Sequence, residues 1–191
     1  MVVPVNNGLD EMMASYGIKI NKDVVLDKSC TKVNLGSMIA DYPLMPLIEK
    51  RALSRKSVIT KYINSALFFK SSSIELDAKL KDKGVATDVL VATSPESWQM
   101  EGRMNFNPMF MNPPSGKNFR SFNIAVLASG KFDSFFKGKD APSVKDAKAK
   151  SSMSAQKKLD STIESGKSEI LVVGSSDITN SGFINHSRRV S

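Results

Sequence analysis

Five short apolar runs constrain this chain more than any other feature: Val24–Leu26, Ala66–Phe69, Val89–Ala92, Ile124–Leu127 and Ile170–Val173. Each is too short for a core-spanning helix and sits between polar or turn-forming stretches, so each reads as a strand. The last three are continuous and apolar, the pattern of strands covered on both faces. Helical periodicity lies elsewhere. Leu9, Met12, Met13 and Tyr16 fall at i, i+3, i+4 and i+7 and predict one buried helical face. Asn7 is placed to cap that helix, Asp10 and Glu11 sit in its first turn, and Gly17 stands at its exit. A second helix is expected over Ser154–Glu164, with Ala155, Leu159 and Ile163 in one i+4 row and Gly166 as its stop. Strands alternating with helices predict an α/β domain, a three-layer sandwich around a largely parallel sheet.

At 191 residues, 41% hydrophobic and 24% charged, the chain has the size and composition of one globular domain spanning 1–191. No apolar run approaches the eighteen or so residues of a membrane span, and no signal peptide is visible. The chain enters a helix within nine residues and closes on the polar string Asn185–Ser191, so we expect a soluble piece of a longer, membrane-anchored protein. Cys30 is the single cysteine, which excludes an intrachain disulfide and a zinc cluster of cysteines. It follows a predicted strand, where a nucleophile can sit, but the single histidine, His186, is far along the chain, and a structural role is favoured.

The net charge of +8 invites a nucleic-acid reading. Between Lys131 and Lys158, however, eight lysines stand against three aspartates, with no arginine and no aromatic residue after Phe136. Base stacking and bidentate phosphate clamping both lack their usual residues there. No nucleic-acid partner is expected, and the Lys/Ser-rich stretch at about 138–152 reads as a mobile segment. Ser97–Phe119, rich in proline, methionine and phenylalanine, reads as a long loop or edge ribbon anchored onto the core.

Two segments hold the candidate binding residues. Ala92–Trp98 (ATSPESW) follows a strand, so Ser94 can meet a ligand at the strand's carboxyl end, with Trp98 as a stacking platform for a sugar. The competing reading is a capped turn with a core tryptophan. Ile170–Asp177 (ILVVGSSD) runs from strand into Gly174, Ser175 and Asp177, where successive N–H groups can cradle an anion; a strand-to-helix turn capped by Asp177 or Thr179 competes with it. No Walker loop and no G-x-G-x-x-G is present, and no cofactor, metal ligand set or catalytic residue is assigned. Ala125–Phe136 (AVLASGKFDSFF) predicts a strand ending in a Gly-Lys turn, then Phe132, Phe135 and Phe136 as a buried face.

Four segments in order, LDEMMASYGIKINKDVVLDKS, ATSPESW, AVLASGKFDSFF and ILVVGSSDITN, resemble a GldG-like family of auxiliary components of an ABC transport system, first associated with gliding motility. Ala128-Ser129 and Ser175 depart from the family pattern, in which the position of Ser129 and that of Ser175 are often acidic. The resemblance implies a periplasmic or otherwise extracytoplasmic domain of Rossmann-like or amidotransferase-like fold, its sheet incomplete in this chain. It implies membrane attachment through segments outside the chain, and ABC permease and ATPase subunits as partners. The resemblance supplies no ligand; a non-enzymatic binding domain is expected to recognise a carbohydrate, another small ligand or a partner protein. The alternative is a small α/β hydrolase or transferase working through Ser94, Ser175 or Asp177.

Overall fold

The computed structural model describes residues 8–102, 104–115, 118–138 and 163–179. A short helix, α1 (Leu9–Ser15), precedes ten strands. These are β1 (Ile18–Ile20), β2 (Asp23–Asp27), β3 (Cys30–Asn34), β4 (Ile39–Glu49), β5 (Ser65–Leu67), β6 (Ile74–Leu76), β7 (Ala86–Ala92), β8 (Ser97–Glu101), β9 (Asn123–Asp133) and β10 (Ser165–Val173). Four 3₁₀ turns lie among them, the last at Ser176–Thr179.

Every strand pairing among the described residues is antiparallel: β1 with β6, β2 with β8, β3 with β4 and β4 with β5, and β9 between β7 and β10. The expected α/β sandwich with a largely parallel, Rossmann-like sheet is therefore corrected to a mainly antiparallel β fold. The reason lies in the connections. A parallel pair needs a crossover of a dozen or more residues, usually a helix. Here the paired strands β3 and β4 are joined by only Leu35–Met38, and among the described residues no α-helix lies between any two paired strands. Most of the helix expected over 154–164 lies outside the described residues, as does most of the Lys/Ser-rich 138–152 segment; Ile163 and Glu164 are described and are not helical.

All five apolar runs do fall in or against strands. β2 shows why. With a two-residue period, Val25 turns toward Ile48, Phe68, Leu90 and Ile124, while Val24 and Leu26 turn toward Leu44, Trp98 and Met111. All five residues of β2 are buried. Fully burying a side chain such as Val25 contributes about 2 kcal/mol. Strands absent from the sequence reading are the polar or proline-bearing ones. β4 carries Pro43 and Pro46, and its pairing with β3 jumps from Thr31 opposite Tyr42 to Cys30 opposite Pro46. That bulge takes up residues that cannot all donate to the ladder.

Two local expectations change. The helix begins at Gly8, in a left-handed conformation with no side-chain cap, while Asn7 lies outside the described residues. No residue of α1 is buried: Met12 and Met13 are half-buried, as is Tyr16 just beyond it, and Leu9 is exposed, so the expected buried face is only partly covered. Tyr16 meets the Phe132 ring edge-on at 5.8 Å, and Gly17 leaves the helix at φ +74°, where a side chain is strained. The Gly-Lys turn expected after Leu127 does not form. β9 continues through Ser129-Gly130-Lys131 because β10 pairs with it as far as Ser165 opposite Asp133. Phe136 is exposed rather than buried.

Candidate functional site

β2 carries a fully or nearly fully buried aspartate at each end. At its C-terminal end, the Asp27 carboxylate accepts the Ser29 N–H at 2.9 Å, the Ser94 N–H at 2.7 Å and the Ser94 hydroxyl at 2.5 Å. The first of these bonds spans two residues and shapes the Lys28-Ser29 turn. At the other end, Asp23 accepts the Ser73 N–H at 2.8 Å and the Ser73 hydroxyl at 2.6 Å, while Ser72 Oγ donates to the Asp23 carbonyl at 2.9 Å. A carboxylate is tolerated in such an interior only when its oxygens are met by donors, and here backbone and hydroxyl groups meet both.

Ser94 also faces a recess of about 380 Å³ whose polar rim includes Ser29, Glu49, Arg51, Thr93 and Ser121, over a floor of Leu47, Ile48 and Ala92. Its hydroxyls are turned inward. Ser29 Oγ donates to the Leu47 carbonyl at 3.0 Å and Ser121 Oγ to the Thr93 carbonyl at 2.6 Å. Arg51 pairs with Glu49 at 3.1 Å and leaves most of its guanidinium in solvent. Such a recess can hold a small polar molecule through hydroxyl lone pairs and one guanidinium. Ser94 acts here as a latch for Asp27, with its proton committed to that carboxylate.

The structure parts the other expected site residues. Trp98 is only 7% exposed, stands opposite Leu26 across β2 and β8, and packs edge-on against Phe119 at 6.0 Å. It is a core side chain and offers no open face for stacking. Gly174, Ser175 and Asp177 gather at the end of β10 against Phe69–Ser72. Gly174 donates to the Ile124 carbonyl and accepts from the Ser72 N–H, both at 2.8 Å, so its N–H is committed to the fold. Ser175 Oγ donates to the Phe69 carbonyl at 2.6 Å, and Asp177 faces Lys70 at 3.8 Å. Ser72 ties this clasp to the Asp23 end of β2, whereas the Ser94 recess lies at the Asp27 end. Cys30 is half-buried, and burial pushes its thiol above the ordinary 9.0, which lowers the thiolate fraction at neutral pH. His186 lies outside the described residues. Among the described residues, no group of three His, Cys, Asp or Glu could hold a metal ion, and no helix is long and apolar enough to cross a membrane.

Asp23, Asp27, Glu49 and Arg51 were not singled out by sequence. The available signal was an acid at each end of the apolar run Val24–Leu26. Two acids flanking a run that is buried throughout must either reach solvent or be latched.

The fold and recess define a mainly antiparallel β domain with latched carboxylates and a small polar-rimmed pocket. Residues 1–189 match the family described as an ABC-type uncharacterized transport system, and the chain belongs to that family. Membership suggests an auxiliary component of such a system. A protein of Borreliella burgdorferi, described as an uncharacterized protein, is 33% identical over 101 residues. That alignment covers 52% of this chain and 20% of the relative, so the chain spans only a small part of that protein's length. No solved structure matches the chain.

Proposed function

We propose that this chain is a non-enzymatic auxiliary domain of an ABC transport system that lies outside the cytoplasm and works beside the permease and its ATPase. The match of residues 1–189 to the transport-system family carries this reading. The side chains with catalytic potential support it from the other direction. Ser94 and Ser175 spend their hydroxyl protons on the Asp27 carboxylate and the Phe69 carbonyl, and Asp177 faces Lys70. The four quoted sequence segments support a GldG-like place within the family and a link to gliding motility. Attachment to the membrane comes from segments outside this chain.

The recess beside Ser94 is the place for a small polar ligand, with a carbohydrate as the first class to test. Arg51 supplies the charged donor and the hydroxyl oxygens of Ser29, Ser94 and Ser121 supply acceptors. The decisive experiment is affinity purification of the full-length protein from native membranes. Co-purification of a permease and its ATPase is the expected result; a stable cytosolic protein without them would overturn the proposal.

A further inference from the structure

The segment Lys50–Asn64 lends Arg51 and Ala52 to the recess, but the rest of its composition and shape lies outside the recess and the latches. It holds Lys50, Arg51, Arg55, Lys56 and Lys61 and no acidic residue. Within it, a single helical turn places four large apolar side chains on the outside. Val58 is 82% exposed and Tyr62 80%, with Ile59 and Ile63 also exposed. Ile59 and Ile63 also line an apolar groove of about 320 Å³, together with Phe68, Leu171 and Ile178. Large apolar side chains exposed side by side and rimmed by charge mark a contact site.

The turn is held in that state. Thr60 is buried and donates its hydroxyl to the Ser54 carbonyl at 2.7 Å, and the Lys61 N–H reaches the Ser57 carbonyl at 2.9 Å. Ser54 in turn donates to the Asp88 carboxylate at 2.8–2.9 Å, and its N–H bonds to the Leu90 carbonyl. The apolar tip is thus fixed to β7 rather than displayed by a loose loop.

We propose that this turn docks the domain on an anionic lipid surface, with Val58, Ile59, Tyr62 and Ile63 entering the interfacial layer and the basic side chains meeting the headgroups. The chemistry of the cations favours lipid over a folded acidic partner. Each arginine, which would make directional bidentate contacts, already spends one donor within the chain: Arg51 Nε on Glu49, and Arg55 Nη1 on the Ile63 carbonyl at 3.3 Å. Lys50, Lys56 and Lys61 remain as flexible point charges, which suit a disordered layer of headgroups. Tyr62, with Lys61 lying 5.5 Å over its ring, has the amphipathic character of an interfacial aromatic. The projecting tip suits insertion, whereas a helix-binding partner would need a long groove.

Vesicle sedimentation of the 191-residue chain tests this without any permease, so its outcome is separate from that of the transport proposal. The chain is expected to sediment with phosphatidylcholine vesicles containing phosphatidylglycerol and not with phosphatidylcholine alone. Binding should vanish at about 1 M salt, where the screening length falls to about 3 Å. The double variant Lys56→Gln/Lys61→Gln should lower the partition coefficient roughly 30-fold, at about fivefold per cation. Val58→Ser/Tyr62→Ser should lower it at least about tenfold. As a readout independent of these variants, the Tyr62→Trp chain should shift its emission to the blue on anionic vesicles and be quenched by brominated lipid. Equal binding to neutral vesicles, no binding at all, or emission of the Tyr62→Trp variant unmoved by lipid would each overturn the proposal. Capture of an acidic protein through this turn without vesicle binding would do the same.

Discussion

Asp27 and Gly174 show how residues that look chemical in a sequence are spent on holding the chain together. Removing the Asp27 carboxylate strands the half-buried Ser94 N–H, its hydroxyl and the Ser29 N–H, so Asp27→Ala should cost about 3 kcal/mol in urea unfolding. Gly174 invited an anion-loop reading because G-S-S-D follows a strand. The structure gives the glycine another purpose: a Cβ there would lie 2.1 Å from the Ser72 carbonyl oxygen. Gly174→Ala should destabilise by about 3 kcal/mol or more, read as a lower urea midpoint with an unchanged slope. No sequence window holds both Gly174 and Ser72, which is why the purpose was invisible. Cys30 gives a pH test. Its neutral form is favoured in the folded state, chiefly by burial, so alkylation by iodoacetamide should be slower than for a free thiol at pH 8 and rise only at higher pH. By the same shift, the stability linked to Cys30 is fully present below the ordinary 9.0 and is lost as pH rises through the folded value.

Strands were legible as objects and illegible as partners. A short apolar run predicts that both faces are covered, which holds for Ile124–Val126 but not for Ile170–Val173, where Leu171 is 49% exposed. Where it holds, a buried antiparallel strand satisfies it as well as a parallel one. The Val24–Leu26 run therefore located β2, while its pairing with β8 depended on Trp98 standing opposite Leu26 from far along the chain. β8 lies inside a segment read as a loop or edge ribbon, and its ribbon alternative holds there, with Ser97, Gln99 and Glu101 giving it a polar alternate face. The anchoring role read for the Met/Phe-rich stretch does hold for Met104, Phe106 and Met111, which pack with Leu44 and Trp98; Met109 and Phe110 stay exposed. If Trp98 is a core member, Trp98→Ala should cost about 3–5 kcal/mol in thermal or urea unfolding. In hydrogen exchange, the amides of β9 from Ala125 to Ala128 should be the slowest, being paired on both sides by β7 and β10.

For the molecule as a whole, the charge excess led attention to the Lys131–Lys158 stretch, where lysines are most numerous. The more informative cations are the five in Lys50–Asn64, because a fixed apolar turn stands among them. That combination needs coordinates to see, since Val58, Ile59, Tyr62 and Ile63 have the spacing of an ordinary buried helical face. The antiparallel architecture has a further consequence in time. Ile18–Ile20 waits for Ile74–Leu76, and Asp23–Asp27 waits for Ser97–Glu101, before either ladder can close. On a ribosome adding about 5–20 residues per second, the apolar β2 would stay unpaired for roughly 4 to 15 s. During that interval the nascent chain offers an open strand edge to whatever is nearby, and chaperone occupancy should peak just before Glu101 leaves the exit tunnel.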